Sequence, residues 1–293
     1  MARRLAALLL ALAGFAGPAL AESWQVPQPY IIPLPPTIEP NFELGLRYWA
    51  SEGDTSRVTA GGGVHYDSVD GNSGEFVFRA QNAAQFFGKG FVGGGGLSGG
   101  RLEGSNPEVG LAETTGRAGD GSLVYGTIDV GKRFDIVESG PRFSLSPFIG
   151  LNIFEEKVTG FSGDVKALTD DSTWTNLRLG GEARLTFCDR ITLIADAAIL
   201  PVAYLSNEER GYSLGASDIL PRVTNSGTGW GYQIEAEARY DFGPQWSAGA
   251  GFRYWYAEVT DGDTRVRSET SEINLEEFST KRLGVYGDVS YRF

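Results

Sequence analysis

The sequence predicts an all-β fold, a ten-stranded antiparallel transmembrane β-barrel with long extracellular loops and short periplasmic turns. Three observations carry this. Leu283, Val285, Val289, Tyr291 and Phe293 alternate with Arg282, Tyr286, Asp288, Ser290 and Arg292, the period of two that marks a strand whose faces meet different environments. Beyond the amino-terminal run from Leu5 to Phe15, no stretch approaches the roughly 20 consecutive apolar residues a spanning helix needs. A membrane-spanning chain must then close a barrel, because every backbone amide in hydrocarbon has to be paired. The 41 glycines and 12% aromatic residues suit tight strands and interfacial aromatic belts, and a closing strand rich in aromatics that finishes on Phe is a feature of outer-membrane barrels.

The start of the chain is read first, to be set aside. Arg3 and Arg4, the apolar run and Ala19-Leu20-Ala21 form a secretory signal peptide with a small-residue cleavage site, residues 1–21. Without those two arginines the 25 basic residues become 23 against 37 acidic ones, a net charge of −14. Such a charge disfavours nucleic acid as a partner, since binding it rests on Lys and Arg neutralising phosphates. Residues 22–40 carry Pro27, Pro29, Pro33, Pro35, Pro36 and Pro40, too many for a sheet interior or a helix, and read as an extended periplasmic segment. Residues 41–293 form the barrel. One cysteine, Cys188, allows no internal disulfide, and one histidine, His65, leaves few metal or catalytic arrangements.

The first strand, Asn41 to Ser51, sets Phe42, Leu44, Leu46, Tyr48 and Ala50 against Glu43, Gly45, Arg47 and Trp49. The second, Gly74 to Gln81, sets Phe76, Phe78 and Ala80 against Glu75, Val77 and Arg79. Phe86 to Gly96 is the third, where Gly93 to Gly96 imply a bend or the close approach of a neighbour. The fourth, Ser122 to Phe134, sets Val124, Ile128 and Val130 against Tyr125, Thr127 and Asp129. Arg142 to Phe154 is the fifth. The sixth runs to Phe187, with Arg178, Glu182 and Arg184 on its polar face, and turns through Cys188 and Asp189. Ile191 to Ile199 is the seventh, with Asp196 inward. The eighth sets Trp230, Tyr232, Ile234, Ala236, Ala238 and Tyr240 against Gln233, Glu235, Glu237 and Arg239. The ninth sets Trp246, Phe252, Tyr254 and Tyr256 against Arg253 and Trp255. Between them, residues 52–73, 97–121, 155–173, 201–228 and 257–280 are expected to be five long loops.

The inward positions gather a lumen charge network: Arg47, Arg79, Arg178, Glu182, Arg184, Glu235, Glu237, Arg239, Arg253 and Asp288, joined by Glu43, Glu75, Asp129, Asp196, Arg282 and Arg292. A bore of eight to ten strands is about wide enough for side chains to fill. Interleaved cations and carboxylates are therefore expected to bridge and close it, with a selective solute path as the alternative.

The loop-and-strand order, with Asn41 to Gly53, Gly121 to Phe134 and the final Tyr291-Arg292-Phe293, resembles the omptins, ten-stranded outer-membrane proteases. That resemblance implies an Asp-x-Asp pair after strand three and an Asp-x-His pair after strand seven, which together hold the attacking water. The chain offers Arg101-Leu102-Glu103 and Glu208-Glu209-Arg210 there. Glu103 and Glu208 could each stand for one carboxylate, which makes them the only catalytic candidates. Arg101 and Arg210 cannot replace Asp and His, because a guanidinium stays protonated and takes no proton from water. The resemblance thus implies an omptin-like scaffold without the omptin centre, with Arg101, Glu103, Glu208 and Arg210 as rim or ligand-binding candidates.

No metal site or cofactor is signalled. Asp170-Asp171, Glu276-Glu277 and Asp261-Gly262-Asp263 could hold a divalent cation through oxygen ligands, but solvated acidic loops are the preferred reading of them. The expected partners are outer-membrane lipid and lipopolysaccharide, and the expected state is a monomer at the surface of a Gram-negative cell. Three functions stand: a structural or surface ligand-binding barrel, a hydrolase using Glu103 and Glu208, and a narrow porin-like pore.

Overall fold

The computed structural model describes residues 41–59, 62–106, 111–137, 140–212, 219–266 and 272–293. The signal peptide and the proline-rich segment expected at 1–21 and 22–40 lie outside them. Ten strands follow one another: β1 (Asn41–Thr59), β2 (Gly62–Gln81), β3 (Phe86–Ser98, resuming at Arg101–Asn106), β4 (Leu111–Lys132, resuming at Phe134–Val137), β5 (Arg142–Ser162), β6 (Val165–Phe187), β7 (Ile191–Tyr212), β8 (Ile219–Asp241), β9 (Trp246–Val266) and β10 (Glu272–Arg292). Each is antiparallel to its neighbour in sequence. β10 returns to β1, with Leu44 opposite Tyr291 and Arg47 opposite Asp288, and closes the barrel. No helix among the described residues is long and apolar enough to cross a membrane.

Two rows of outward aromatics bound an apolar wall. Phe42, Phe86, Phe134, Phe242, Trp246 and Phe293 are exposed at the short-turn end, and Tyr48, Tyr204 and Trp230 are exposed higher up, with Tyr232 stacked on Trp230, Tyr256 edge-on to it and Tyr254 against Tyr232. Between the rows the wall presents Leu46, Ile128, Leu151, Ile153 and Val285. Trp246 to Tyr256 is ten steps of about 3.4 Å, which at a tilt of about 40° rises about 25 Å, the height of a lipid-facing band.

The five long loops expected between strands are not loops. Every strand continues well above the upper aromatic row, so that residues 52–59, 62–73, 155–162, 165–173, 201–212, 219–228, 257–266 and 272–280 are paired ladder. The reason is a reversal of polarity. Within the lipid-facing band apolar side chains point out and charges point in; above it Val64, Tyr66 and Val69 point in while His65, Asp67 and Asp70 point out. Alternation persists there with its sides exchanged.

Register shifts fall at this boundary and break the count of two. Ser68 is the extra residue of β2 opposite Gly53–Thr55, sits at φ 54, and donates its backbone N–H to Asp54 Oδ1 at 2.7 Å. Comparable shifts fall between Leu177 and Leu179 against β7 and between Thr228 and Gly229 against β9. Such bulges bend and twist a strand.

The opposite turns are short. Asn82 Oδ1 accepts the N–H groups of Ala84 and Phe86, both at 3.0 Å. Cys188 and Asp189 turn at φ 51 and 57, and the Arg190 N–H closes the turn on the Phe187 carbonyl at 3.2 Å. Strand β3 is interrupted at Gly99 and Gly100, which take φ 66 and 93, a conformation glycine enters without steric cost.

Candidate functional site

Among the described residues the interior is where strand after strand delivers chemistry-bearing side chains, and it is filled at three levels. The lowest, inside the lipid-facing band, holds the ions. Arg253 is fully buried; its Nη1 and Nη2 donate to Glu75 at 2.5 and 3.3 Å and its Nε to Glu235 at 2.7 Å. Arg47 lies between Glu235, Glu237, Glu75 and Asp288 at 3.3–3.6 Å. Arg239 bridges Glu43 at 2.5 Å and Glu237 at 2.7 Å.

Across the bore, Glu182 accepts from Arg79 at 2.9 Å, Lys89 at 2.7 Å and Arg184 at 2.5 Å. Arg178 reaches Asp129 at 3.0 Å and Asp196 at 3.2 Å, and Lys89 also pairs with Asp196. All ten residues read as a lumen network are therefore in ion pairs with partners on other strands or one pleat away. Arg292, inward near the rim, comes within 3.9 Å of Glu43.

Lys89 is the member that sequence reasoning missed. Its neighbours Gly88 and Gly90 have no side chains to set an alternation, so nothing in the sequence fixes which way Lys89 points. Among these groups a cavity of about 100 Å³ remains, room for on the order of three waters.

Above the ions lies an aromatic layer. Trp49, Tyr125, Phe154, Phe91 and Trp255 pack with ring centroids 5.0–6.4 Å apart. The layer is tied to the ions below it, because Tyr125 Oη donates to Glu75 at 2.7 Å and the Arg253 guanidinium lies 4.2 Å from the Phe91 ring centroid, a favourable cation–π distance. Gly93 makes this possible. A Cβ there would fall 2.7 Å from the Tyr125 ring and 2.8 Å from Glu75.

The third level stands above the lipid-facing band. Trp174, Phe278, Leu102, Leu168, Leu205 and Val223 are buried there, around polar groups that are buried too. Arg282 Nη2 donates to Glu156 at 2.6 Å, and Arg57 Nη2 meets Glu209 at 2.5 Å. Thr264 donates to Asn225, Asn225 to Asn207, and Asn207 to Asp170, at 2.7, 2.6 and 2.8 Å.

Asp170 lies directly opposite Glu209 in the β6–β7 register. Burial raises its pKa to about 8, helped by the nearby Glu209 and Glu156 charges and opposed by Arg57 and the Asn207 hydrogen bond. The hydroxyl of Tyr66, buried beside the same carboxylates, is pushed well above its usual value by burial first and by Asp170 and Glu209 next. The Asp170 carboxyl can hold a proton near neutral pH. Nothing at the sequence level distinguishes Asp170 from Asp171 or Glu209 from Glu208.

The residues read as catalytic or rim candidates stand elsewhere. Leu102 and Glu209 point inward and are buried, so Arg101, Glu103, Glu208 and Arg210 point outward. Arg101 and Glu103 form an exposed pair at 3.9 Å, opposite Asp67 and His65. Glu208 is held by Arg210 at 2.6 Å and Arg222 at 2.9 Å on a different part of the wall. The two candidate carboxylates are not brought together. Asp171 likewise points outward, 3.4 Å from Lys157. Among the described residues no three His, Cys, Asp or Glu side chains converge as a metal site.

No family model matches this sequence, and no curated protein matches it. Solved structures do. The chain is similar to the outer membrane protease OmpT from Escherichia coli at 10% identity and a TM-score of 0.58, over 88% of this chain and 98% of that one. It is less similar to the translocator domain of autotransporter NalP from Neisseria meningitidis, at 11% identity and a TM-score of 0.40 over 85% and 88%. At 10% identity the likeness to OmpT is one of fold alone, that of a closed outer-membrane-type barrel.

Proposed function

We propose that this protein is an outer-membrane barrel of omptin-like topology whose bore is sealed and whose role is structural or surface ligand-binding, not proteolytic. One observation carries this reading: the cross-section is occupied at three successive levels, by bridged ions, by stacked aromatics and by a buried apolar and carboxylate cluster. A solute path needs a wetted bore. A peptidase of the omptin kind needs converging groups around a reachable water, whereas Glu103 and Glu208 sit on separate outward faces and Asp170 and Glu209 are buried. The extended strands carry polar outer faces about as tall as the lipid-facing band, which suits presentation above a lipopolysaccharide layer.

The test is cleavage of a basic-peptide library by the purified barrel with lipopolysaccharide present. The expected result is no cleavage above that of a heat-unfolded control. Cleavage lost on Glu103→Gln or Glu208→Gln would establish the hydrolase instead.

A further inference from the structure

The lipid-facing wall has a trough at its short-turn end. Across five strands the outward positions in one row are Phe42, Ala80, Gly88, Val130 and Ile149. The two floor positions are nearly bare. A Cβ built on Gly88 would meet nothing nearer than the Asp129 carbonyl at 4.0 Å, so this glycine is not demanded by packing, and its missing side chain leaves open space. Phe293 lies beside Phe42, ring centroids 5.8 Å apart, and walls one side; Val130 and Ile149 wall the other.

At the end of the trough stands a cation. Lys132 Nζ lies 5.1 Å from the Phe86 ring centroid and 5.7 Å from that of Phe134, in the aromatic row that marks the headgroup level. Two other basic residues at this end are paired, Arg133 with Asp135 at 2.7 Å and Arg142 with Asp189 at 2.6 Å. Among the described residues Lys132 has no carboxylate within ion-pair distance. An apolar trough facing hydrocarbon and ending at an unpaired ammonium in the interfacial row matches one occupant in polarity and charge.

We propose that this trough binds a single anionic glycerophospholipid, one acyl chain lying over Ala80 and Gly88 and the phosphate meeting Lys132. The ammonium on its flexible stem reaches the headgroup while its methylenes stay against Phe86. A basic residue near an anionic lipid surface is worth enough to change occupancy about five-fold.

The experiment titrates phosphatidylglycerol into the detergent-purified full chain and counts lipid retained per barrel by native mass spectrometry, with phosphatidylcholine as the zwitterionic comparison. Expected is one saturable phosphatidylglycerol per barrel. Its half-saturation rises about five-fold or more in Lys132→Glu and in Gly88→Leu, which fills the slot. Ala197→Leu, on an outward position of the opposite wall, should leave it unchanged. Should Gly88→Leu not migrate as a folded barrel on an unheated gel, Ala80→Leu tests the same floor. Unsaturable adducts, or equal retention by the Lys132, floor and Ala197 variants, would overturn the assignment.

Discussion

Arg253 holds Glu75 by two hydrogen bonds, 2.5 and 3.3 Å long, in a place where neither side chain meets solvent. The pair joins β9 to β2 through the bore, between strands separated in the ladder by β10 and β1. It is a strut as well as a neutralised charge. Arg253→Met leaves Glu75 and Glu235 facing one another with their main counter-ion gone, and is expected to cost about 3–5 kcal/mol. Urea unfolding of the refolded protein measures this, and the double variant Arg253→Met with Glu75→Gln should recover part of the loss. An unchanged midpoint in the single variant would mean that the strut carries no load.

The Asp170 carboxyl supplies a pH dependence of definite sign. Its folded pKa, about 8, lies above the unfolded value of about 3.9, so between those values the folded state binds more protons than the unfolded one. Stability should therefore fall as pH rises from about 4 to about 8, by up to about 1.4 kcal/mol per unit. Asp170→Asn keeps an acceptor for Asn207 and should flatten that part of the profile. Denaturant midpoints between pH 5 and 9 read it directly. A variant that follows the parent slope would place the titration elsewhere.

The aromatic rows sort the tryptophans. Trp230 and Trp246 face outward, nearly half exposed, while Trp49, Trp174 and Trp255 are buried inside. Brominated acyl chains should quench single-tryptophan variants keeping Trp230 or Trp246 and leave those keeping Trp49, Trp174 or Trp255 bright. Quenching of the inner three would turn the wall inside out.

The strand extensions make a prediction about exchange. In β5 and β6 the residues 155–162 and 165–173 are ladder-paired above the lipid-facing band. Their amides should exchange with deuterium far more slowly than loop amides do, closer to those of Arg178 to Leu185. Exchange complete within seconds would restore the loops that the sequence suggests.

What was legible in the sequence follows from where a strand meets lipid. From Phe42 to Ala50 and from Leu283 to Phe293, lipid on one face and ions on the other force apolar and charged residues onto opposite parities, and both strand and facing can be read. That is why Arg47, Glu235, Glu237, Arg239, Arg253 and Asp288 were identifiable as lumen residues. Above the band water wets the outer face, so polar residues move outward and the apolar ones inward. Ser68, placed out of step, then breaks the parity count. The same loss hid the upper cluster, where Glu208 and Glu209 look alike in sequence yet one binds Arg210 on the surface and the other Arg57 in the interior.

The filled bore is the claim on which the functional reading rests, and ionic current across it is the most direct measurement. Single barrels in a planar bilayer at 1 M salt, where surface charge is screened to about 3 Å, are expected to add no steps above the bare membrane. Steps should emerge only where all three levels are opened together, as in Arg253→Ala with Trp255→Ala and Phe278→Ala. A steady, resolvable conductance from the unmodified protein would contradict the account.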